Sequence, residues 1–549
     1  MGSTDMQKIM AKLIKNKIAR VLTCSVSLIL GSATYSYAAV VPVGTQLAEK
    51  QEITRNNFSE PGSLDPHKSE GSSEFDILQD FFEPLVTIDK NSNTIPALAE
   101  HWETKDNKTW VFHLRKGIKW SDGSPVTAHD VVFTWRRLVT PDTLSPYGSY
   151  LVQAKVINAH DVLSGKKKPE ELGIKALDDA TIEVSLERPK AGFLQMLEHP
   201  VMSTLSEKVV KKYGNKWTKP EFFVSNGPFK LSEWIVNEKI VGVRNPHYWD
   251  DKNTVINKVT YLPISDYKAD LNRYLAGEID ISNGGPTDFF PTLKKQLGDQ
   301  FHITPIMSVY YYLFNIRKPP FNDIRVRQAL TLALDRDVIA DRVMGQGQKP
   351  AYYVVFPGSG GINLKRPDYA SWTQEKRIAK AKALLNEAGF NENNPLKFKL
   401  LYNTSDGHKR IAIAASSMWK KNLGVEAVLE NQESKSQVES MYQGNFEVSR
   451  YAWQADYDSP VTFLEIFMTG NTNNITKYNN PEFDKLVLKA DETDDKDIYQ
   501  QAIDILTHDS PAIPVYDYVR IKLIKPYVGG VYISPLGRIL TKDLYIIKH

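Results

Sequence analysis

Cysteine is nearly absent: Cys24 is the single one in 549 residues. No intrachain disulfide is possible, and no metal site built on several thiolates can form. No internal run reaches the ~18 apolar residues of a membrane-crossing helix, which excludes a polytopic membrane protein. A basic excess is missing too. Lys and Arg number 68 against 65 Asp and Glu, a formal charge of +3, so the electrostatic footprint of a dedicated nucleic-acid binder is lacking. Internal repeats and low-complexity tracts do not occur. What remains is ordinary globular material, 42% hydrophobic, 24% charged and 11% aromatic. That composition rules out a disordered chain and a collagen-like fibre. At roughly 100–200 residues per domain, the length implies two to four domains.

The first 38 residues read as a secretory signal. Lys8, Lys12, Lys15, Lys17 and Arg20 form a basic start with no acid after Asp5, and Val21 to Ala33 is an apolar stretch of the expected length. Ser36-Tyr37-Ala38 then offers small residues at both cleavage-determining positions, so the mature chain is expected to begin at Ala39. Val21-Leu22-Thr23, ahead of Cys24, lacks the small residue of a lipoprotein signal. Cleavage would remove five cations, one anion and the cysteine, leaving a charge of −1 on 511 residues. The expected product is an exported protein stabilised by its core alone.

Catalytic signatures are also missing. The eleven histidines are scattered, with none three or four residues from another, so no local metal site is expected. Gly358-Ser359-Gly360 is a turn rather than a nucleophile elbow. Gly345-Gln346-Gly347 lacks the third glycine of a dinucleotide fingerprint and follows a helical pattern. The sequence therefore predicts no enzyme, no metal and no cofactor.

Element patterns are clear in places. Trp110, Phe112 and Leu114 alternate with polar or exposed neighbours, as do Ile182, Val184 and Leu186, which predicts strands. Asp323 is positioned to cap a helix carrying Val326, Ala329, Leu330 and Ala333. Another helix starts near Thr373, with Ile378, Ala381, Leu385 and Ala388 inward and Gly389 as its stop. Pro395–Asn431 reads as strand, helix from Ser405 to Leu423 ended by Gly424, then strand, the unit of a parallel sheet. The fold class is α/β, with mixed sheets flanked by helices. Aromatic-rich turns and strand ends stand out: Arg450-Tyr451-Ala452-Trp453-Gln454-Ala455-Asp456, Tyr310-Tyr311-Tyr312, Ser145–Tyr150 and Tyr516-Asp517-Tyr518. Rings beside a charged pair suit a pocket for an amphipathic small molecule.

Several of these stretches resemble the extracytoplasmic solute-binding proteins of peptide ABC transporters, the dipeptide/oligopeptide-binding group. The resemblance is carried by Pro96-Ala97-Leu98-Ala99-Glu100-His101-Trp102, by Phe112–Gly123 and by Val126–Phe133. Ser225-Asn226-Gly227-Pro228-Phe229, Asn245–Trp249 and Phe321–Leu330 extend it over the whole mature chain. The sequence is most similar to periplasmic oligopeptide- and murein-tripeptide-binding members. The resemblance implies a bilobed periplasmic protein of three domains with a hinge between the lobes. Domain I would combine 39–82, 207–307 and 520–549; domain II would be 83–206 and domain III 308–519. It further implies a monomer that encloses a short peptide, docks on the membrane permease of an ABC importer, and does no catalysis.

The resemblance also assigns site residues. Glu70-Gly71-Ser72 and Ala452-Trp453-Gln454 are the strand-like segments expected to pair with the ligand backbone. Asp456 is matched to the carboxylate that takes the ligand's α-amino group. Arg450 and His408 are matched to the carboxylate-binding positions, His408 near a helix start where free N–H groups favour an anion. Trp453, Tyr147, Tyr311 and Tyr518 are expected as walls and Asn283 as a polar contact. Four positions depart from the pattern: Ser434 replaces a usual tryptophan, Leu313 a usual acid, and Met441 and Met344 basic residues. Those departures leave open a specialised peptide-like ligand such as a murein peptide, haem or a peptide antibiotic.

Overall fold

A computed structural model describes residues 39–549 apart from 70, 91, 287 and 288. The predicted secretory signal lies outside the described residues. Among the described residues, no helix is long and apolar enough to cross a membrane.

The chain forms an α/β fold around one large mixed sheet of eleven strands. From one edge it runs Glu426–Gln432, Lys397–Asn403, Val448–Gln454, Phe301–Phe314, Ala512–Ile524, Ile281–Ser282, Glu52–Asn56, Lys258–Leu262, Lys239–Arg244 and Phe229–Ile235. Lys349–Pro350 pairs on Ala512–Ile524 as a short branch. A second, antiparallel sheet joins Ala99–Thr104, Thr109–Leu114, Thr181–Ser185 and Ile174–Ala176.

Two strands carry the large sheet from one lobe to the other. Phe301–Phe314 and Ala512–Ile524 have 14 and 13 residues, far beyond the usual strand of about five or six. Their antiparallel register shifts between Pro305 and Val309. Before the shift, Phe301–Pro305 faces Val519–Leu523; after it, Val309–Leu313 faces Ala512–Asp517. The strands on either side of the break attach to different ends of this pair. Lost ladder bonds at such a shift are where a sheet bends most easily.

The sequence patterns mostly match. Asp323 caps Ile324–Ala333 by accepting from the Arg325 N–H, and Thr373 caps Gln374–Glu387 by accepting from the Lys376 N–H. In the second helix the inward face differs from the predicted one: Arg377, Ala381, Leu384 and Leu385 are buried, while Ile378 is half-buried. Arg377 can enter because its Nε donates to Gln374 Oε1 at 3.0 Å. The parallel unit is as expected, with Lys397–Asn403 beside Glu426–Gln432 and helix Asp406–Leu423 between them. That helix stops at Gly424, whose φ of 71° is cheap only for glycine.

One apolar cluster joins residues from Leu85 to Met202 with residues from Met307 to Ala512. The segment that carries the small sheet is therefore packed against the segment that carries Val448–Gln454.

Gly227 lies where two backbones almost touch. Its N–H donates to the Phe81 carbonyl at 2.8 Å, and a Cβ there would sit 2.7 Å from the Phe81 carbonyl carbon and oxygen. Backbone cannot give way as a side-chain tip can. Gly227→Ala is expected to destabilise the protein by about 1–3 kcal/mol, read as a lower midpoint in chemical denaturation.

Candidate ligand-binding site

The site is built on an incomplete strand pairing. Val448–Gln454 pairs along Phe314 to Ser308 on one side. On its other side, among the described residues, only Val448 and Ser449 find partners, Leu400 and Leu401. Arg450 to Gln454 therefore present a strand edge with no strand against it. Arg450, Tyr451, Ala452 and Trp453 are half-buried and Gln454 is exposed. An edge of unpaired N–H and C=O groups is a template for another extended chain.

Arg450 stands at the start of this edge. It donates from Nη1 to Asn403 Oδ1 at 3.2 Å and from Nη2 to the Tyr518 hydroxyl at 2.7 Å. Its guanidinium lies 5.0 Å from the centre of the Tyr310 ring. Asn403 is itself steadied by donating to Ser434 Oγ at 3.2 Å. Burial works against the Arg450 charge, but Tyr518, Tyr310 and Tyr516 outweigh it and hold its pKa above the usual value. The Arg450 Nε is buried with no hydrogen-bond partner among the described residues.

His408 is the third residue of helix Asp406–Leu423, with its ring 5.6 Å from Tyr310. Burial, then the nearby Arg450 charge, push its pKa down to about 3, so it is neutral. Its Nδ1 is also buried without a partner. A ring nitrogen and a guanidine nitrogen left unsatisfied at one end of a free edge are placed to donate to a carboxylate, since leaving them unmatched costs about 1–3 kcal/mol each.

Asp456 stands at the other end, two residues past the strand. Its N–H donates to Thr462 Oγ1 at 3.4 Å. No hydrogen-bond donor reaches its carboxylate among the described residues. Some of its surface is open, yet protein surrounds it. Burial first and the neighbouring Glu465 second push its pKa up to about 7, against the pull of Arg538.

The other predicted residues divide. Trp453 donates from Nε1 to Thr462 Oγ1 at 3.5 Å, and Gln454 donates from Nε2 to the Leu536 carbonyl at 3.2 Å. Tyr147 is half-buried in a ring cluster with Phe75, Tyr150 and His199, at 5.8, 5.8 and 4.8 Å. Asn283 is engaged internally. Its Nδ2 donates to the Asn56 carbonyl at 3.1 Å and its Oδ1 accepts from Lys522.

Tyr311 is turned away from Arg450, and the strand-like expectation for Ser72 needs correction. Tyr311 is fully buried beside Tyr451 and Phe467, with ring centres 5.9 and 6.4 Å away. Side chains alternate along a strand. Tyr310 and Tyr312 therefore take the Arg450 face and Tyr311 faces the core on the other side. Ser72 is not strand-like: it opens helix Ser72–Phe81, and only Gly71 is extended, at φ −105° and ψ 157°. Glu70 lies outside the described residues.

The departures have local roles. Met441 and Leu313 are buried, and Gln437 donates to the Met441 sulfur at 3.4 Å. Ser434 holds Asn403 and, through it, Arg450. Sequence reasoning picked out the stretches that hold Tyr310 and Tyr516 without assigning either ring to the site, and missed Asn403 and Arg538. Alternation in the Tyr310-Tyr311-Tyr312 and Tyr516-Asp517-Tyr518 runs carried the signal for Tyr310 and Tyr516; Asn403 and Arg538 come from distant segments.

Comparison with known proteins identifies the family. The model of bacterial extracellular solute-binding proteins, family 5 Middle, matches residues 93–474. The periplasmic oligopeptide-binding protein OppA of Salmonella typhimurium is 50% identical over 524 residues, covering 94% of this chain and 96% of that one. The solved Escherichia coli murein tripeptide binding protein MppA superposes with a TM-score of 0.82 at 40% identity, covering 92% of this chain and 100% of that one. Haemophilus influenzae OppA in complex with RPPGFSPFR gives a TM-score of 0.79 at 45% identity, with 92% and 100% covered. With the match spanning most of the chain, this protein belongs to the family 5 bacterial extracellular solute-binding proteins.

Proposed function

We propose that the protein is a periplasmic receptor that encloses a short peptide between two lobes and delivers it to the membrane permease of an ABC importer. The observation that carries this reading is the free edge from Arg450 to Gln454, with the Asp456 carboxylate, its pKa raised by burial and Glu465, at one end and, among the described residues, the partnerless Arg450 Nε and His408 Nδ1 at the other. The peptide adds a strand to the edge, its α-ammonium meets Asp456, and its carboxylate meets Arg450 and His408. Backbone pairing supplies affinity without reading side chains. At ~3.3 Å per residue, the six steps from Arg450 to Asp456 span at most ~20 Å, which suits an extended peptide of about four to six residues. The protein acts as a monomer and transforms nothing.

The domains follow the same reading: 39–82, 207–307 and 520–549; 83–206; and 308–519. The boundaries at 307 and 519 fall where the register of the two long strands shifts, which favours that region as the hinge. The binding names carried by the relatives support peptide as the ligand class, and the resemblance of the signal supports export with cleavage after Ala38.

Titration calorimetry with a tetrapeptide and its N-acetylated form tests the assignment. Acetylation should abolish most of the affinity; equal affinity would overturn it. The pH profile is a second test. Only the ionised Asp456 accepts an ammonium, so affinity is expected to fall about tenfold per pH unit below about 7. Above about pH 8 the peptide's own α-amino group loses its proton and affinity falls again.

A murein peptide is the second reading. It is favoured by the likeness to MppA. The mass of the ligand that co-purifies with the protein decides between the two.

A further inference from the structure

A cavity of about 630 Å³ lies beside the break in the two long strands. Pro305, Asp517 and Val519, which flank the register shift, line one side of it, and residues from 349 to 366 line the other. Small-molecule sites run from about 300 to 1,000 Å³. The second wall is held in place by the protein itself. The Ala351 N–H donates to the Val515 carbonyl at 3.1 Å, the Tyr369 hydroxyl to the Tyr352 carbonyl at 3.3 Å, and the Tyr353 hydroxyl to the Lys365 carbonyl. Pro350, Tyr352, Tyr353, Phe356, Ile362 and Leu364 give the cavity an apolar, ring-rich lining.

One buried carboxyl interrupts that lining. Asp517 is 8% exposed. Among the described residues no donor reaches either of its oxygens, and burial alone holds its pKa well above the usual carboxylate range. Its Oδ1 is enclosed by protein, whereas its Oδ2 is open. The residue is otherwise buried and lines the cavity, so the cavity is where Oδ2 opens. Lys349, its partner in the strand register, and Arg366 also line the cavity, but both are exposed and neither pairs with the carboxyl. A buried acid with neither donor nor counter-charge is costly, and an ammonium N–H supplies both.

The cavity is distinct from the proposed peptide edge. Tyr516 and Tyr518 take the Tyr310 and Arg450 face of their strand, so alternation turns Asp517 to the other face. Arg450, His408 and Asp456 do not line the cavity, although Tyr518 borders it. We infer that this cavity is a second binding site, for a small organic cation whose ammonium donates to Asp517 Oδ2 while its apolar part lies against Tyr352, Tyr353 and Phe356. The inference does not rest on the peptide reading.

Calorimetry with 2-phenylethylamine tests it, with 2-phenylethanol as the uncharged control of the same shape. All titrations use the full mature chain carrying Asp456→Asn, which removes the carboxylate assigned to a peptide's ammonium. One saturable amine site is expected, with the alcohol at least about tenfold weaker. Asp517→Asn should weaken the amine by at least about tenfold, because the amide keeps the shape and removes the charge. Leu364→Trp should weaken it as much by filling the cavity from the opposite wall without touching the carboxyl, so the test stands even if the Asp517 variant folds poorly. No saturable binding, equal binding of amine and alcohol, or an affinity unmoved by Leu364→Trp would overturn the proposal.

Discussion

Replacing Asp456 by alanine is expected to weaken binding of a short unblocked peptide by about 2–5 kcal/mol, a loss of roughly 30-fold to several thousandfold. The physical reason is asymmetry. In the empty site the carboxylate has no hydrogen-bond donor among the described residues, and burial with Glu465 nearby makes its charge costly. A ligand ammonium relieves that cost and gains a charge-assisted bond in a water-poor setting. Without Asp456 the ammonium is buried with nothing to accept from it. Asp456→Asn separates charge from shape: the amide keeps the volume but presents no anion, so it should lose nearly as much as alanine. N-acetyl peptides, which carry no ammonium, should bind the wild-type and the Asp456→Ala protein about equally. If the alanine variant binds unblocked peptides as tightly as the parent, the α-ammonium assignment fails.

Asp491→Ala is expected to remove about 3–5 kcal/mol of stability, seen as a large drop in the denaturation midpoint. Asp491 accepts from Lys190 Nζ at 2.9 Å and from Arg188 Nη2 at 3.1 Å. The Lys190 and Asp491 side chains are only 1% and 4% exposed. The Asp491 carbonyl also accepts from the Ala191 N–H at 2.7 Å. This contact ties the stretch after the small sheet to the end of helix Pro481–Thr493, some 300 residues later in the chain. Truncating the acid strands the Lys190 ammonium in the interior, where transfer from water is expensive. Replacing the pair together, as Lys190→Met with Asp491→Leu, should recover most of the loss, because two apolar groups of similar size need no partner. If both variants lose equally, packing rather than charge holds the contact. Under the proposed domain division this pair bridges domains II and III, so the double variant should also scatter as a more open particle when unliganded.

Local signals in this chain were legible because local physics decides them. Asp323 and Thr373 cap helices through their own side-chain oxygens, and Gly424 ends one because only glycine takes its left-handed turn cheaply. The spacing of Pro395–Asn431 was enough to specify strand, helix and parallel strand, since a parallel pair needs such a crossover. The buried face of Gln374–Glu387 was read less well. Whether Arg377 or Ile378 points inward depends on Gln374 being free to accept from the guanidinium.

The candidate site was legible only in part. The resemblance pointed to Arg450, His408 and Asp456 as charged contacts, and the structure puts Arg450 beside His408 and Asp456 beyond the far end of the same edge. Ser72 begins a helix instead of lying in a strand-like segment, and strand alternation turns the Tyr311 ring toward the core. Caps, turns and strand periods are set by residues within a few positions of one another, and the sequence by itself determined those. The free edge, the neutral His408, the raised Asp456 and the Lys190–Asp491 contact exist only because segments up to 300 residues apart meet. Burial, and the charges that come with it, are properties of that meeting, and only the tertiary structure decided them.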